Sequence, residues 1–179
     1  PSPRPRTDVA RLEELVRFLD VELRTAEIPD ADGAVNGLQL SNSGEVSRIA
    51  AAVDFSADSV AGAVRAGANL LLVHHGMFWR GRQRLIGAAY ERVRQAIQAD
   101  LAVYSSHIPL DLHPALGNNA LLARALRLRT GGTFGRYRAV DIGVSGDCDL
   151  PTMEIVERTR AFSEPFPTNN GRTPDERGP

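Results

Sequence analysis

Two apolar runs separated by a segment of helical character constrain the fold of this chain more than any other feature. The segments RIAAAVDFS and NLLLVHH each have the pattern of a buried strand, and SADSVAGAVRAG between them predicts a helix that ends at Gly67. Two parallel strands joined by a helix form a βαβ unit. The pattern repeats, with a helix predicted over residues 88–99 and a strand in LAVYSSH. The sequence therefore predicts an α/β fold, with a parallel or mixed sheet built from repeated βαβ units and flanked by helices.

Weaker patterns surround these units. Apolar residues at helical spacing predict a first helix, and a loop rich in Asp, Gly and Asn follows it. The loop after the third strand carries Asp111. The remaining predicted segments are a helix over residues 9–23, a loop through 36–39, a helix over 119–126, a glycine turn followed by a strand over 139–144, and a short helix from Pro151.

Composition excludes several classes of protein. A chain of 179 residues with 42% hydrophobic residues is long enough for one compact domain with a core. A net charge of −1 gives no strong indication of nucleic-acid or membrane binding. No apolar run approaches the roughly 20 residues needed to span a bilayer, and the N-terminal segment lacks the apolar core of a signal peptide. Together with a single cysteine, Cys148, these features lead us to expect a cytoplasmic protein.

All four histidines lie in two short stretches, and three of them follow predicted strands. His74 and His75 end one strand, His107 ends the next, and Asp111 follows four positions later. The carboxyl ends of neighbouring parallel strands, about 4.8 Å apart, meet at one edge of a sheet. Imidazole and carboxylate are the usual ligands of divalent ions where no thiolate is available. The sequence therefore predicts a metal site there, and adjacent histidines pointing in different directions would suit two bridged ions better than one.

The neighbouring polar residues have alternative interpretations. His107 could be a further ligand or assist proton transfer, although a lone histidine at a strand end is more often a satisfied polar residue. Asp54, which ends the first strand, could orient a ligand or bind substrate, or it could cap the helix beginning near Ser56. His113 precedes a proline and is interpreted as a loop residue or a neighbour of the site.

The segment after the histidine pair is rich in arginine and aromatic residues. Arg80, Arg82 and Arg84 could contact phosphate, or they could form a solvated charge run. Phe78 and Trp79 could cover the mouth of the site, form a subunit contact or belong to the core.

Four motifs resemble those of one family. HHGMFWRG at 74–81 and HIPLDLHPALGNNA at 107–120, with NGLQ at 36–39 and VDFS at 53–56, closely resemble the GTP cyclohydrolase type 2 homologues, also called NGG-interacting-factor-three-like dinuclear metal centre proteins. The similarity runs from residue 9 to residue 128. It implies an α/β protein that assembles as a ring-shaped homohexamer. It also implies two divalent metal ions per subunit, with Zn, Fe and Mn not distinguished.

The resemblance also implies which residues bind the metal. Carried over position by position, the family's ligands fall on His74, His75 and Asp111, and His107 would be a close neighbour or an additional ligand. The family completes its metal pair with a histidine and a glutamate near the C-terminus, whereas this chain has no histidine after His113.

The C-terminal segment departs from the family in composition. Residues 163–179 are rich in proline, glycine and charge, a composition that does not form a core. We therefore expect residues 1–162 to form a single α/β metal-binding domain, a truncated family domain, and residues 163–179 to be a disordered or out-of-frame tail. On this interpretation the chain holds one ion weakly, and it assembles less than the family does.

Two functions from different classes fit these expectations. The resemblance implies a metal-dependent hydrolase acting on a nucleotide such as GTP or on another phosphoester, with His107 or Asp54 assisting proton transfer. The alternative is a noncatalytic, ring-forming, metal-binding adaptor protein that presents a surface to partners. The residues themselves favour metal binding over either complete account.

Overall fold

The structure is a computed structural model that describes residues 9–81 and 83–163. Fourteen helices and strands follow one another in this part of the chain. They are β1 (Ala10–Arg11), α1 (Leu12–Glu22), β2 (Gly37–Leu40), β3 (Glu45–Val46), β4 (Ile49–Asp54), α2 (Ala57–Arg65), β5 (Leu70–His75), α3 (Gly87–Gln98), β6 (Ala102–Ser105), α4 (Ile108–Asp111), α5 (Asn118–Ala125), β7 (Arg129–Tyr137), β8 (Val140–Asp147) and α6 (Thr152–Ser163).

A four-stranded mixed sheet in the order β2-β6-β5-β4 forms the centre of the molecule. Strands β4, β5 and β6 are parallel, and β2 pairs antiparallel with β6. The predicted α/β class with a mixed sheet is therefore confirmed. Two smaller antiparallel pairs, β1 with β3 and β7 with β8, lie outside this sheet.

Strand β5 is covered on both faces of the central sheet, and its alternate residues point to opposite sides. Leu71 and Val73 pack in a core cluster with residues of α2 and α3. Leu70 and Leu72 face the other cluster, which contains the apolar side of α1. A strand buried on both faces has a continuous apolar sequence, which is why LLLV precedes the histidine pair.

Four local predictions differ from the structure. Strand β4 was predicted to be buried, but it is the outer strand of the sheet and none of its residues is buried. Residues 37–40 form strand β2 rather than loop, because Gly37 and Leu38 pair with β6. Residues 129–137 form strand β7, where a glycine turn was predicted, and all but Tyr137 of its residues are exposed, so no apolar alternation indicated a strand. Asp111 ends the short helix α4 rather than lying in a loop.

Part of the predicted tail, residues 164–179, and Arg82 lie outside the described residues. Ser163 is the last residue of α6. Within residues 9–81 and 83–163, no helix combines the length and apolarity needed to cross a membrane.

Candidate metal centre

Three predicted site residues converge at the carboxyl edge of the central sheet. His74 and His75 end β5, and His107 lies between β6 and α4. One ring nitrogen of each lies within 4.8 Å of the others. The centroid of the His74 ring is 4.7 Å from that of His75 and also 4.7 Å from that of His107. The rings of His74 and His75 therefore lie close together. We expected these adjacent side chains to point in different directions, but the alternation of the strand does not hold at the end of β5.

Each of these histidines is held through its Nδ1 atom by an oxygen acceptor. Such a partner keeps the proton on Nδ1 and leaves Nε2 with the lone pair that a metal ion needs. The sheet therefore presents three oriented imidazole donors. The pairs are His74 with the Ser106 carbonyl oxygen at 3.1 Å, His75 with Asp54 Oδ1 at 2.8 Å, and His107 with Asp30 Oδ1 at 2.8 Å.

Asp30 is a residue of the candidate site that the sequence did not reveal. Its side chain is 7% exposed, and it accepts hydrogen bonds from His107, from Asn36 and from the backbone N–H groups of Ala31 and Ile108. Burial raises the pKa of Asp30, but these hydrogen bonds outweigh it and hold the pKa below its usual value. Asp30 is thus an ionised anchor for His107. The 77 positions that separate the two residues hid this pairing in the sequence.

The NGLQ motif positions the histidine-bearing loops. The Asn36 side-chain oxygen accepts a hydrogen bond from the backbone N–H of His107 at 2.8 Å. The Gln39 side-chain oxygen accepts one from the backbone N–H of Met77 at 2.6 Å. A Cβ atom at Gly76 would overlap the end of the Gln39 side chain, so a larger residue there would displace Gln39 from its hydrogen bond to Met77.

Asp111 lies beside His74. Its Oδ2 is 3.7 Å from His74 Nε2, and its Oδ1 accepts a hydrogen bond from Asn118 Nδ2 at 2.7 Å. The turn after α4 approaches the next helix so closely that a Cβ atom at Gly117 would overlap the carbonyl oxygens of Asp111 and His113. The glycine therefore allows Asn118 to reach and orient the carboxylate.

The electrostatic surroundings of His74 favour its neutral form. Burial lowers its pKa most, Asp111 raises it, and the neighbouring His107 and His75 lower it further. The net result is a pKa below the ordinary value of 6.5. A neutral imidazole is the form that binds metal.

Asp54 is not the cap of α2. That role belongs to Ser56, whose side chain accepts a hydrogen bond from the backbone N–H of Ser59, and the Ser59 hydroxyl reciprocates. Asp54 lies opposite His75 in the parallel register of β4 and β5, which brings its carboxylate to the imidazole. The Asp54 side chain is 64% exposed, so the opening of the site to solvent lies on this side.

Trp79 packs against the histidines. Its ring is stacked on His75 with centroids 4.5 Å apart, and it is tilted against His107 at 4.4 Å. Of the interpretations left open for the aromatic pair, Trp79 therefore covers the site, whereas Phe78 is 41% exposed.

The remaining candidates lie away from the cluster or at the surface. His113 is buried, its Nε2 is 3.2 Å from Glu22 Oε1, and its Nδ1 accepts the backbone N–H of Leu116 at 3.0 Å. It therefore holds the end of α4 to α1. Arg80 and Arg84 are exposed.

The donor set fits a divalent metal ion. Nitrogen ligands bind zinc at about 2.0–2.1 Å, so two ligands of one ion lie up to about 4.2 Å apart. A separation of at most 4.8 Å between the three imidazole nitrogens needs only small side-chain rotations to meet that limit. The Asp111 carboxylate beside His74 supplies a charged oxygen donor next to them.

Comparison with known proteins adds a family context. The model of the family described as Duf34/NIF3 (NGG1p interacting factor 3) matches residues 10–173. A protein named GTP cyclohydrolase 1 type 2 homolog from Deinococcus radiodurans is 49% identical over 160 residues, which cover 88% of this chain and 60% of that protein. A protein of the same name from Treponema pallidum is 44% identical, over 85% of this chain and 54% of its own length. The chain thus spans between half and two thirds of the length of these relatives.

Solved structures show the same fold. The crystal structure of TTHA1606 from Thermus thermophilus matches with a TM-score of 0.75 and 30% identity, covering 86% of this chain and 61% of that one. The protein ybgI, titled as of unknown function, matches with a TM-score of 0.75 and 32% identity, covering 85% of this chain and 60% of that one.

Proposed function

The chain belongs to the Duf34/NIF3 (NGG1p interacting factor 3) family, and from that premise we propose that it binds divalent metal at its histidine cluster and hydrolyses a nucleotide or another phosphoester. The observation that carries the proposal is the convergence of three imidazoles whose Nδ1 atoms are already occupied. The proposed ligands are His74, His75 and Asp111, with His107 as an additional ligand.

The chemistry proposed for the site divides between the ion and the protein. A divalent ion supplies Lewis-acid chemistry, in that it lowers the pKa of water and polarises a phosphoryl oxygen. Asp54 is the proposed proton acceptor, because one of its oxygens binds His75 while the side chain is 64% exposed to solvent and substrate. His107, which shares its Nδ1 proton with Asp30, is the second residue proposed to assist proton transfer when it is not a ligand. Trp79 limits the access of water from the side of the stacked rings.

The proposed occupancy is one ion per chain. Within residues 9–81 and 83–163, a single group of three or more potential ligands has the required geometry. A second ion, as the family resemblance implies, requires ligands beyond this group.

Self-association is a further part of the proposal. The outer strand of the central sheet, β4, exposes Ile49 by 47% and Val53 by 63%, and α1 exposes Phe18 by 60% and Val21 by 78%. Exposed apolar residues of this kind support contacts between copies of the chain. They also favour the alternative function, a noncatalytic metal-binding adaptor in a ring. A cytoplasmic location is proposed with either function.

The test is turnover of two substrates, GTP and bis(4-nitrophenyl) phosphate, by the purified chain loaded with zinc, manganese or ferrous iron. The proposal predicts hydrolysis of at least one substrate, loss of hydrolysis on chelation, and its loss in His74→Ala. The matched control is Met153→Ala on α6, where the side chain is 65% exposed and far from the cluster in sequence. Metal retention without turnover of either substrate would contradict the hydrolase and favour the adaptor.

A further inference from the structure

A cleft of about 490 Å³ opens beside the candidate metal centre. This volume lies in the range of sites that bind small organic molecules. One wall consists of the metal-centre side of the molecule and the other of the β7–β8 hairpin. The lining residues that matter here are His107, Asp111, Asn118, Asn119, Tyr137 and Ile142.

We propose that this cleft binds the planar, uncharged, N–H-bearing heteroaromatic ring of the substrate, and that Tyr137 and Asn119 determine specificity for that ring. The role of the ring as part of a substrate rests on the function proposed above. Binding of the ring itself does not require the metal.

The hairpin wall is fixed to the metal-centre side at two points. Asn119 Nδ2 donates a hydrogen bond to the Ile142 carbonyl oxygen at 2.6 Å. Arg138, in the turn between β7 and β8, donates one to the Asp30 carbonyl oxygen at 2.6 Å. Because Asp30 also holds His107, the position of the hairpin is linked to that of the candidate ligand. The cleft is therefore a defined space between two connected walls.

Tyr137 supplies an aromatic surface in this wall. The Arg138 guanidinium lies 5.5 Å from the centroid of the Tyr137 ring, which is a cation–π contact that restrains the ring. The side chain is only partly buried, so the ring has surface left for a ligand. An aromatic ring stacks on any heteroaromatic ring, because every such ring has a π face.

Two carboxamides on the opposite wall favour ligands that donate hydrogen bonds. The Asn118 amide nitrogen is used by Asp111 Oδ1, and the Asn119 amide nitrogen is used by the Ile142 carbonyl. Among the residues that the structure describes, neither amide oxygen has a hydrogen-bond donor, so each oxygen can accept a hydrogen bond from a ligand. A ring with N–H groups on its edge meets this requirement.

The charge of the cleft disfavours a phosphate in the same place. Asp30 and Asp111 line it, and no arginine is among its lining residues in the part of the chain that the structure describes. Two carboxylates would repel an anion in the cleft, whereas they would not repel an uncharged ring.

The experiment is a ligand-observed NMR titration of the full chain with inosine, whose ring presents an N1–H, and with 1-methylinosine as the matched ligand. The proposal predicts saturable inosine binding, weaker binding of 1-methylinosine, and a loss of about 5- to 150-fold in Tyr137→Ala, the range found when a stacking aromatic is removed. Tyr137→Phe keeps the stacking surface and loses less. Phe134→Leu, on the same hairpin but 59% exposed, binds inosine like the original protein. Inorganic phosphate does not displace the nucleoside.

Three results would overturn the proposal: no saturable binding of inosine at about 5 mM, where even millimolar affinity is detectable; equal binding by Tyr137→Ala; or displacement by phosphate. Metal content and circular dichroism of the same samples separate the two proposals. Metal retained without inosine binding refutes the cleft alone, and inosine bound without metal retention refutes the metal centre alone.

Discussion

The carboxyl edge of the central sheet and the β7–β8 hairpin face each other across the cleft, but they are built differently. At the sheet edge β5 and β6 are buried, with Leu70 and Leu71 at most 1% exposed, and each histidine has an oxygen partner. The hairpin has almost no buried residue and meets the opposite wall through Arg138 and Asn119. The difference indicates that the sheet fixes the candidate metal ligands, whereas packing constrains the hairpin less.

Among substitutions that test this difference between the sheet edge and the hairpin, we expect the largest loss of metal affinity and stability at Asp30. Asp30→Asn removes the charge that holds His107, so metal affinity falls by about 10–100-fold. The free energy of unfolding of the metal-free protein falls by roughly 1.5–3 kcal/mol, which is the contribution of a hydrogen bond to a charged group. Metal titration and urea denaturation measure the two effects.

Asp54→Asn is the matched variant at the exposed end of the same edge. Because the Asp54 side chain is 64% exposed, water replaces part of its interaction with His75, and the loss of metal affinity is smaller. An equal or larger loss in Asp54→Asn would contradict the view that burial determines the strength of these anchors.

A second prediction compares two glycines. Gly117→Ala places a Cβ atom against the carbonyl oxygens of Asp111 and His113, and backbone atoms cannot move aside as a flexible side chain does. We expect a loss of roughly 1–3 kcal/mol in the free energy of unfolding. Gly131→Ala in β7 meets nothing within 4 Å, so it leaves stability nearly unchanged. Urea denaturation of both variants measures this, and similar losses would show that the hairpin is packed as tightly as the sheet edge.

The smallest effect concerns pH. Because the pKa of His74 in the folded protein lies below 6.5, the unfolded chain takes up the proton first as the pH falls. The stability of the metal-free protein is therefore complete above pH 6.5 and decreases as the pH falls through the folded pKa. Denaturation at several pH values should show this decrease, and His74→Gln should reduce it.

The hairpin side provides the control for the pH experiment. Arg129 lowers the pKa of Asp149, but both groups are exposed, and the carboxyl titrates in a more acidic range. Asp149→Asn therefore leaves the decrease below pH 6.5 unchanged. If Asp149→Asn removed the decrease and His74→Gln did not, the burial of His74 would not be its cause.

The parts of the fold that the sequence predicted are those with a continuous apolar or helical pattern, although β4 carries its apolar run as an exposed outer strand. Strands β4, β5 and β6 and the helices between them follow from continuous apolar runs and helical spacing. Strand β7 could not be predicted in this way, because its stability comes from pairing with β8 rather than from burial. Strand β2 was missed because its first residues follow a loop rich in Asp, Gly and Asn and were assigned to that loop.

The candidate site was predictable to the same degree. The histidines follow predicted strands, so their convergence follows from parallel topology. Their partners do not: Asp30 lies in a polar loop, and only the folded chain brings it to His107. The orientation of the ring nitrogens, which decides whether a metal can bind, is therefore a property of the tertiary structure.

The most direct test of the metal centre is elemental analysis of the purified chain after loading with zinc or manganese and extensive dialysis. The account predicts about one divalent ion retained per chain, as expected for one set of converging nitrogen and oxygen ligands. It also predicts loss of that ion in His74→Ala and its retention in Phe134→Leu on the hairpin. No retained metal in the original chain, or equal retention in His74→Ala, would contradict the account.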